Sequence, residues 1–526
     1  MNKYSLRQSA LTLTISSLLA SGAAQAATIT VTTSTDGPIG SIAGCSLREA
    51  IASANNGNSQ GGCSSGSVAA DSIVFDPSLA HSTITLNEGQ MEITSSVTIT
   101  GPVADDPAGL VVDGDNLSRI FRIQGPSEIA PISVNLNQLT LTRGRATGTA
   151  EYGGAIRAQY ANLNLDQTIA RSNSVFSTAA GLNSSASANG GGVVVLYGSV
   201  SLVDSQITNN SAISYATGEN ASASSLGAGL VVLGGAASLV NSTVADNLAE
   251  AEVNGQNAFG TAAGGMVMVD GTLVVVDSSL SGNSALSVAS GIDAEANSYG
   301  GGLFIRGADS TIVGSTLAGN EIVASDLAVG GGLVAARGDF TVNNSTISGN
   351  TATGASTSGG GIAVIGFEAG YGGEAYPASL LLEHGTVAFN TGSNGYDGIY
   401  LRQNAYTALG LGYSLVVQAG AGETACNAPV KYGDSLVTDT SCTGTATDLS
   451  DIKLAGLSDN GGATLTHGLL PGSVAVDALS ECHAEITLDQ RGLPRPGSGS
   501  SYCDIGAFEV QDDDDLDAIF RDRFEQ

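Results

Sequence analysis

A repeat constrains the fold of this chain more than any other feature. The segment GGGLFIRGADSTIVGSTLAGN (Gly300–Asn320) is followed by GGGLVAARGDFTVNNSTISGN (Gly330–Asn350). Similar units open on a glycine cluster and close on an asparagine. The closing asparagines are Asn210, Asn247, Asn283, Asn320, Asn350 and Asn390, at spacings of 37, 36, 37, 30 and 40 residues. A period of this size is typical of a solenoid or a propeller.

Two rows of apolar residues keep the same distance from each closing asparagine. Polar residues such as Ser242 and Ser278 separate them, so the strands should be about four or five residues long. The rows are Ile207, Val244, Leu280, Leu317, Ile347 and Val387, and Leu202, Leu239, Val275, Ile312, Val342 and Leu382. The 21 residues of Gly330–Asn350 suit one coil of three short strands, whereas a propeller blade needs four. We therefore predict an all-β, right-handed parallel β-helix solenoid of roughly ten to twelve coils, about 50 Å long.

The repeated asparagines and glycines have a structural interpretation. Asparagine tolerates the left-handed backbone of a tight corner, and stacked amides can hydrogen-bond along a ladder. A row of asparagine ligands is the alternative. The glycine clusters predict turns and not a phosphate cradle, because no GxGxxG or GK[ST] context surrounds them.

Alternation within the glycine-started strands places a second apolar row, from Val194 to Ile365, on the outside of the coils. Such a row should be covered, either by a partner molecule or by the segments of about 17 residues between each asparagine and the next glycine, which we expect to be loops. These segments should also form an acidic flank, through Glu219, Glu250, Glu252, Asp293 and Glu295. A further outward row should be a solvated face, with sugar or ice contact as the alternative: Gln206, Thr243, Ser279, Thr316, Thr346 and Thr386.

The N-terminus has the pattern of a signal peptide. Lys3 and Arg7 precede an apolar stretch from Ala10 to Ala20 and the small residues Ala24–Ala26. We expect residues 1–26 to be removed, and no later stretch is apolar enough to span a membrane. The expected divisions are a cap (27–66), the coils (67–415), a C-terminal domain (416–510) and an acidic tail (511–526). A net charge of −31 argues against nucleic acid as a partner.

Six cysteines fall into three local couples. In the oxidising conditions of an exported protein they predict three disulfides, with proximity in sequence as the guide to pairing. Metal ligation is less favoured because no CxxC occurs. The predicted pairs are Cys45 with Cys63, Cys426 with Cys442, and Cys482 with Cys503.

Segments at both ends resemble a family of exported bacterial proteins. CSLREAIASAN (Cys45–Asn55) is similar to the CSLREA segment of secreted right-handed β-helix proteins, and its Ser46 and Glu49 form a capping box for a helix that would close the solenoid. LSDNGGATLTHGLLPGSVAVDA (Leu457–Ala478), LDQRGLPRP (Leu488–Pro496) and CDIGAFE (Cys503–Glu509) resemble the choice-of-anchor Q domain. The tail, Asp512–Gln526, looks like the IFxDGFE endings of exported proteins, with Arg523 in place of the glycine. The resemblance implies a fold and an extracellular or outer-surface address in a Gram-negative bacterium.

Residues for catalysis are scarce. Lyase chemistry on a β-helix needs a strong base beside a cation, yet no lysine lies between Lys3 and Lys431. Four arginines follow glycine-started strands without acidic neighbours in sequence: Arg157, Arg306, Arg337 and Arg402. No catalytic residue and no cofactor is predicted. A calcium site at DGDN (Asp113–Asn116) remains an alternative. This segment lacks the other EF-hand ligands and suits a strand corner better.

The remaining polar residues favour structural roles. His384 falls at a polar corner of the coil, and His467 lies within the C-terminal match. Asp489, Arg491 and Asp504 are expected to form an internal ion pair.

Two functions remain open from the sequence. The first is a binding, adhesion or structural surface module whose ligand is a polysaccharide or a cell surface. The second is a polysaccharide lyase or glycoside hydrolase. A carboxylate cluster beside an arginine on an exposed sheet would favour the enzyme, whereas an apolar groove without such a cluster would favour the binding module.

Overall fold

The computed structural model describes residues 26–103, 109–367, 375–393, 396–420, 422–427, 434–442, 444–497 and 499–512. The predicted signal peptide, apart from Ala26, and the tail beyond Asp512 lie outside the described residues. None of the helices in the described ranges is long and apolar enough to cross a membrane.

The described chain is a stack of coils whose strands pair in parallel with the strands of the next coil. This confirms the parallel β-helix, and right-handed crossovers are almost always adopted by such connections. All members of the two predicted inward rows are at most 1% exposed. Both rows pack between the sheets of the coils, in a core that extends along the whole stack.

Sheets 1 and 2 are continuous with each other. Sheet 1 contains the strands that follow the glycine clusters, and sheet 2 contains the strands that come next along the chain. In the described ranges they hold 19 strands, three of which run through both: Leu230–Val240, Met266–Val276 and Leu303–Val313. The other strands of sheet 1 are Met91–Ile93, Phe121–Gln124, Ile156–Gln159, Val193–Leu196, Leu333–Ala336, Ile362–Ile365 and Ile399–Leu401. The other strands of sheet 2 are Thr28–Val31, Asp71–Phe75, Val97–Thr100, Ile132–Asn137, Ala161–Asp166, Ser199–Val203, Gly338–Asn343, Ala378–Glu383 and Thr407–Gly412.

Sheet 3 closes the core opposite sheets 1 and 2. Its strands are only two to four residues long, because a polar corner stands at each end. They are Ser82–Thr85, Leu110–Asp113, Thr140–Thr142, Ile169–Arg171, Gln206–Thr208, Thr243–Ala245, Ser279–Ser281, Thr316–Ala318, Thr346–Ser348, Thr386–Ala388, Leu415–Val417, Leu436–Val437 and Thr445–Ala446.

The segments expected to be loops are strands, and this part of the prediction was wrong. They form sheets 4 and 5, which pack face to face as a second lobe through alanine and serine side chains. Ser214 Oγ lies 2.8 Å from Ser225 Oγ across the two sheets. The strands of sheet 4 are Arg145–Gly148, Ser174–Ala180, Ser211–Thr217, Leu248–Asn254, Ser284–Ser290, Glu321–Ala324, Thr351–Thr353 and Thr391–Gly392. Those of sheet 5 are Ala150–Tyr152, Ser185–Asn189, Ser222–Leu226, Phe259–Ala263, Glu295–Tyr299, Leu327–Val329 and Ser356–Ser358.

The second lobe carries the expected acidic residues on its surface. Glu219, Glu252, Asp293 and Glu295 are exposed, whereas Glu250 is half-buried and accepts a hydrogen bond from the Tyr215 hydroxyl.

Helices occur at the two ends of the described chain. The helix Leu47–Asn56 begins with the predicted capping box and packs against the first coils. Near the C-terminus a short helix, Leu449–Ile452, precedes the antiparallel strands Leu454–Ser458 and Thr466–Leu469. A 3₁₀ turn covers Pro77–Leu79.

The closing asparagines form a continuous buried ladder. Asn247 Nδ2 donates to Asn283 Oδ1 at 2.9 Å, and Asn283 Nδ2 donates to Asn320 Oδ1 at 3.0 Å. The stacked amides are therefore as predicted. The left-handed backbone belongs instead to the residue before each asparagine, for example Asp246 with φ 55°.

The glycine clusters are explained by this ladder. A Cβ on Gly265 would lie 2.3 Å from the side chain of Asn283 in the same coil, and one on Gly332 would lie 2.9 Å from Asn350. The third glycine of a cluster thus packs on the amide that closes the same coil. Together they form the narrow neck between the β-helix body and the second lobe.

The three predicted disulfides are confirmed. The pairs are Cys45–Cys63, Cys426–Cys442 and Cys482–Cys503. Each closes a short segment, and the first ties the capping helix to the chain that follows it.

The chain from Leu449 to Asp512, which we call the C-terminal cover, lies on the outer face of sheet 3. Thr316 donates to the Leu465 carbonyl, Thr346 to Gln490 Oε1, and Thr386 accepts from the Ala507 backbone amide. The solvated face expected for the hydroxyl row was therefore wrong at these three residues, which are at most 2% exposed. Their hydroxyls hold the cover and not an external ligand.

A buried charged cluster fixes the cover. The predicted Asp489–Arg491 ion pair is present with an N–O distance of 2.9 Å, and the Arg491 guanidinium lies over the Phe508 ring. Arg495 and Glu509, which the sequence did not single out, form a second pair at 2.7 Å. Asp504 lies beside this pair, and burial raises its pKa. Burial and then Asp504 raise the pKa of Glu509 to about 7.

His467 makes the unfolding free energy sensitive to acid. Burial lowers the pKa of its ring from 6.5 to about 4, and the ring bridges the Ala455 carbonyl and the Ser348 hydroxyl. The folded state therefore holds the neutral ring, so this stabilisation is present above pH 6.5 and is lost as the pH falls towards 4. Between these values we expect the wild type to lose about 2–3 kcal/mol more than His467→Gln.

Denaturant titrations at several pH values, followed by circular dichroism, measure this difference. The raised pKa of Glu509 acts in the opposite direction in both proteins and cancels in the comparison. Equal slopes for the two proteins would contradict the assignment.

Candidate ligand-binding groove

A groove runs along the angle between sheet 1 and sheet 5. Its floor is the predicted outward apolar row, and Val194, Val231, Val267 and Val334 are at most 1% exposed. The last residues of the sheet 5 strands form the wall that covers them. The row is covered as expected, but by strands of the second lobe.

The groove contains a cavity of about 360 Å³. One side is open, because the next outward column of sheet 1, including Leu233 and Val269, is only half-buried. The lining is mostly apolar and aromatic: Leu226, Thr261, Ala263, Val267, Val269, Tyr299, Phe304, Arg306, Val334, Ala336, Ile365 and Phe367. A concave, mainly apolar site with a few polar groups is the usual form of a ligand pocket.

The four arginines of the sequence prediction lie along this groove. Arg157 and Arg306 point outward from sheet 1. Arg337 stacks on the Tyr376 ring at 3.6 Å, and Arg402 lies 5.1 Å from the centre of the Phe367 ring. With Arg122, five of the 18 basic residues in a chain of net charge −31 are on one strip. The coil register puts Arg122, Arg157 and Arg306 on one face, and ring contacts put Arg337 and Arg402 beside it. Spacing in the sequence did not reveal this arrangement.

The N-terminal end of the strip is polar. Arg122 pairs with Glu92 at 3.2 Å, and Arg119 pairs with Glu151 at 3.2 Å. Burial lowers the pKa of Arg119, Glu151 opposes this, and the nearby Arg157 and Arg122 add to it. The Arg119 guanidinium thus lies close enough to Arg157 and Arg122 to be repelled by them.

Aromatic side chains stand beside these arginines. Tyr160 and Tyr197 stack with ring centres 5.9 Å apart, and Tyr197 is 47% exposed. Tyr152 faces the Arg157 guanidinium at 5.5 Å. Such rings offer an apolar face together with a polar hydroxyl.

The candidate catalytic and metal-binding groups among the described residues are buried or already engaged. No group of three or more His, Cys, Asp or Glu side chains there could hold a metal ion. At the DGDN segment, the Asp113 carboxylate is taken by Arg143. Ser348 and His467 contact each other but are 4% and 2% exposed under the C-terminal cover. His384 is fully buried, which lowers its pKa to about 3.

No family model matches the sequence, and a comparison with curated proteins finds no match. Among solved structures, pectate lyase Pel9A is 14% identical with a TM-score of 0.36, over 92% of this chain and 96% of the lyase. Tailspike protein 3 of bacteriophage CBA120 is 10% identical with a TM-score of 0.24, over 71% of this chain and 54% of the tailspike. The chain thus spans about half of the tailspike's length. At these low values neither likeness supports a function.

Proposed function

We propose that the protein is an exported, adhesin-like binding module that holds a polysaccharide in the groove between sheets 1 and 5. The observation that carries the proposal is the strip itself: an apolar floor with aromatic side chains and five arginines on an otherwise acidic protein. Glu92 and Glu151, the carboxylates beside the strip, are held by Arg122 and Arg119. This favours binding over cleavage, because glycoside hydrolysis needs two carboxyl groups that act on the sugar.

The proposed location is the cell surface. The signal-peptide pattern of residues 1–26, the CSLREA segment and the similarity to choice-of-anchor Q domains support export to the surface of a Gram-negative bacterium. Three disulfides suit an oxidising compartment. We assign the cap to residues 27–66, the coils to 67–415, the anchor-type domain to 416–510 and a sorting tail to 511–526.

The test uses the chain from residue 27 onwards on an array of neutral and acidic polysaccharides. A groove variant, Val269→Trp, would fill the half-open side of the groove. Its matched control, Val274→Trp, lies on the same strand, Met266–Val276, but on the outer face of sheet 2, where Val274 is 42% exposed. We expect Val269→Trp to lose binding and Val274→Trp to keep it.

A reducing-end assay on every bound polysaccharide runs in parallel. No release of reducing ends is expected. Release would favour the polysaccharide lyase or glycoside hydrolase instead, and equal binding by the two tryptophan variants would place the ligand outside the groove.

A further inference from the structure

The outer face of sheet 1 changes character along the stack. In the later coils its outward residues are apolar, such as Val231 and Val267. In the earlier coils the same positions hold Arg122 and Gln124, then Arg157 and Gln159. This polar end continues the apolar groove, so one extended ligand could contact both.

The side chains of the polar end repeat with the coils. Arg122 is the register partner of Arg157, and Gln124 is the register partner of Gln159. Each pair is therefore separated by one strand spacing, about 4.8 Å. Two guanidinium groups and two amides in the same order present a polymer with the same set of donors twice.

The charge at this end is only partly balanced by the protein, because three arginines face two carboxylates. Glu92 is engaged by Arg122 and by the Gln90 amide, and Glu151 is engaged by Arg119. Among the described residues, no acidic side chain forms an ion pair with Arg157, whose guanidinium lies over the Tyr152 ring. A cationic site on a chain of net charge −31 is complementary to an anion. The acidic surface around the site repels anions, so an anionic ligand is favoured only at the site itself.

The neighbouring rings favour a sugar as the carrier of that anion. Tyr197, half-exposed and stacked on Tyr160, lies at the corner that follows the glutamine column. An exposed ring can pack on the C–H face of a pyranose, while Gln159 meets hydroxyls. The planar fork of an arginine matches a carboxylate in two parallel hydrogen bonds.

We propose that the polar end of the groove is a subsite for uronic acids, so that the ligand is a polyuronate. The subsite is formed by Arg122, Gln124, Arg157, Gln159, Tyr160 and Tyr197. The inference rests on the proposed function, in which the groove holds a polysaccharide. The carboxylates of successive sugars face Arg122 and Arg157, and the rest of the polymer continues into the apolar groove.

The probe is alginate, and its matched neutral form is the same polymer after reduction of its carboxylates to alcohols. Affinity is measured by titration calorimetry at low and high salt. We expect alginate to bind at least tenfold more tightly than the reduced polymer and to weaken as salt increases.

Arg157→Gln is expected to weaken alginate binding about tenfold, because a charge-assisted hydrogen bond is lost. The matched control is Arg171→Gln, the same change in the same coil but at an exposed site on sheet 3, which should bind as the wild type does. Unchanged circular dichroism and melting temperature establish that both variants fold.

The outcomes separate this inference from the proposed function. Equal affinity for alginate and its reduced form, or an Arg157→Gln variant that binds normally, would overturn the uronate subsite while leaving a polysaccharide groove in place. Tighter binding of dextran sulfate than of alginate would also overturn it, in favour of sulfate. If neither form of the polymer and no array polysaccharide binds, both ideas fail.

Discussion

Arg495→Met is expected to lower the free energy of unfolding of the C-terminal cover by about 3–5 kcal/mol, the usual cost of removing one partner of a buried ion pair. Arg495 pairs with Glu509, donates to the Gly506 carbonyl at 2.7 Å and reaches Asn344 Oδ1 at 3.3 Å. Both charged side chains are at most 1% exposed. Without Arg495, three buried carboxylates, including Glu509, would share a single guanidinium, that of Arg491.

The measurement is denaturant unfolding followed by circular dichroism, together with limited proteolysis that detects release of the cover. Arg171→Met removes an exposed arginine from sheet 3 and should change the unfolding free energy by less than about 0.5 kcal/mol. A loss below about 1 kcal/mol in Arg495→Met would show that the cover does not depend on the cluster.

Asn283→Ala is expected to destabilise the coil stack by about 4 kcal/mol, because several buried hydrogen bonds are lost at once. Asn283 Oδ1 accepts from the backbone amide and the Nδ2 of Asn247, at 3.2 and 2.9 Å. Its own Nδ2 donates to the Val244 carbonyl and to Asn320 Oδ1. The alanine would leave buried donors and acceptors on both neighbouring coils without this partner.

The matched control is Asn164→Ala. Asn164 also stacks on an asparagine, Asn135, at 2.6 Å, but on the exposed face of sheet 2, where water replaces the lost bond. We expect it to cost less than about 1 kcal/mol. Equal effects of the two substitutions would mean that burial of the ladder contributes nothing to stability.

The coil body could be predicted because one interior repeats in the sequence. Residues such as Leu239 and Val244 return at a fixed distance from an asparagine, and this distance fixes which way each side chain points. The second lobe was missed for a related reason. In SAISYAT (Ser211–Thr217), the inward positions are Ala212, Ser214 and Ala216, and small residues resemble loop composition. They form strands because two sheets approach so closely that only small side chains fit, and strand preference depends on such packing.

The candidate site was predictable only in part. Arg157, Arg306, Arg337 and Arg402 could be picked out, but irregular repeat lengths hid their common face, and Arg122 lies upstream of the clear repeats. The C-terminal cover was beyond reach for another reason. The hydroxyl of Thr346 donates to Gln490, 144 residues away. The repeat gives no sign of which threonines will contact the cover.

The C-terminal cover also has a mechanical consequence. In a rod held at one end, a pull along the axis acts parallel to the hydrogen bonds between coils, so the coils could separate one at a time. The cover crosses three successive coils through Thr316, Thr346 and Thr386. The same pull acts across these three contacts at the same time, so all three must break before the coils separate. The coils beneath the cover are therefore the part of the rod best built to carry tension.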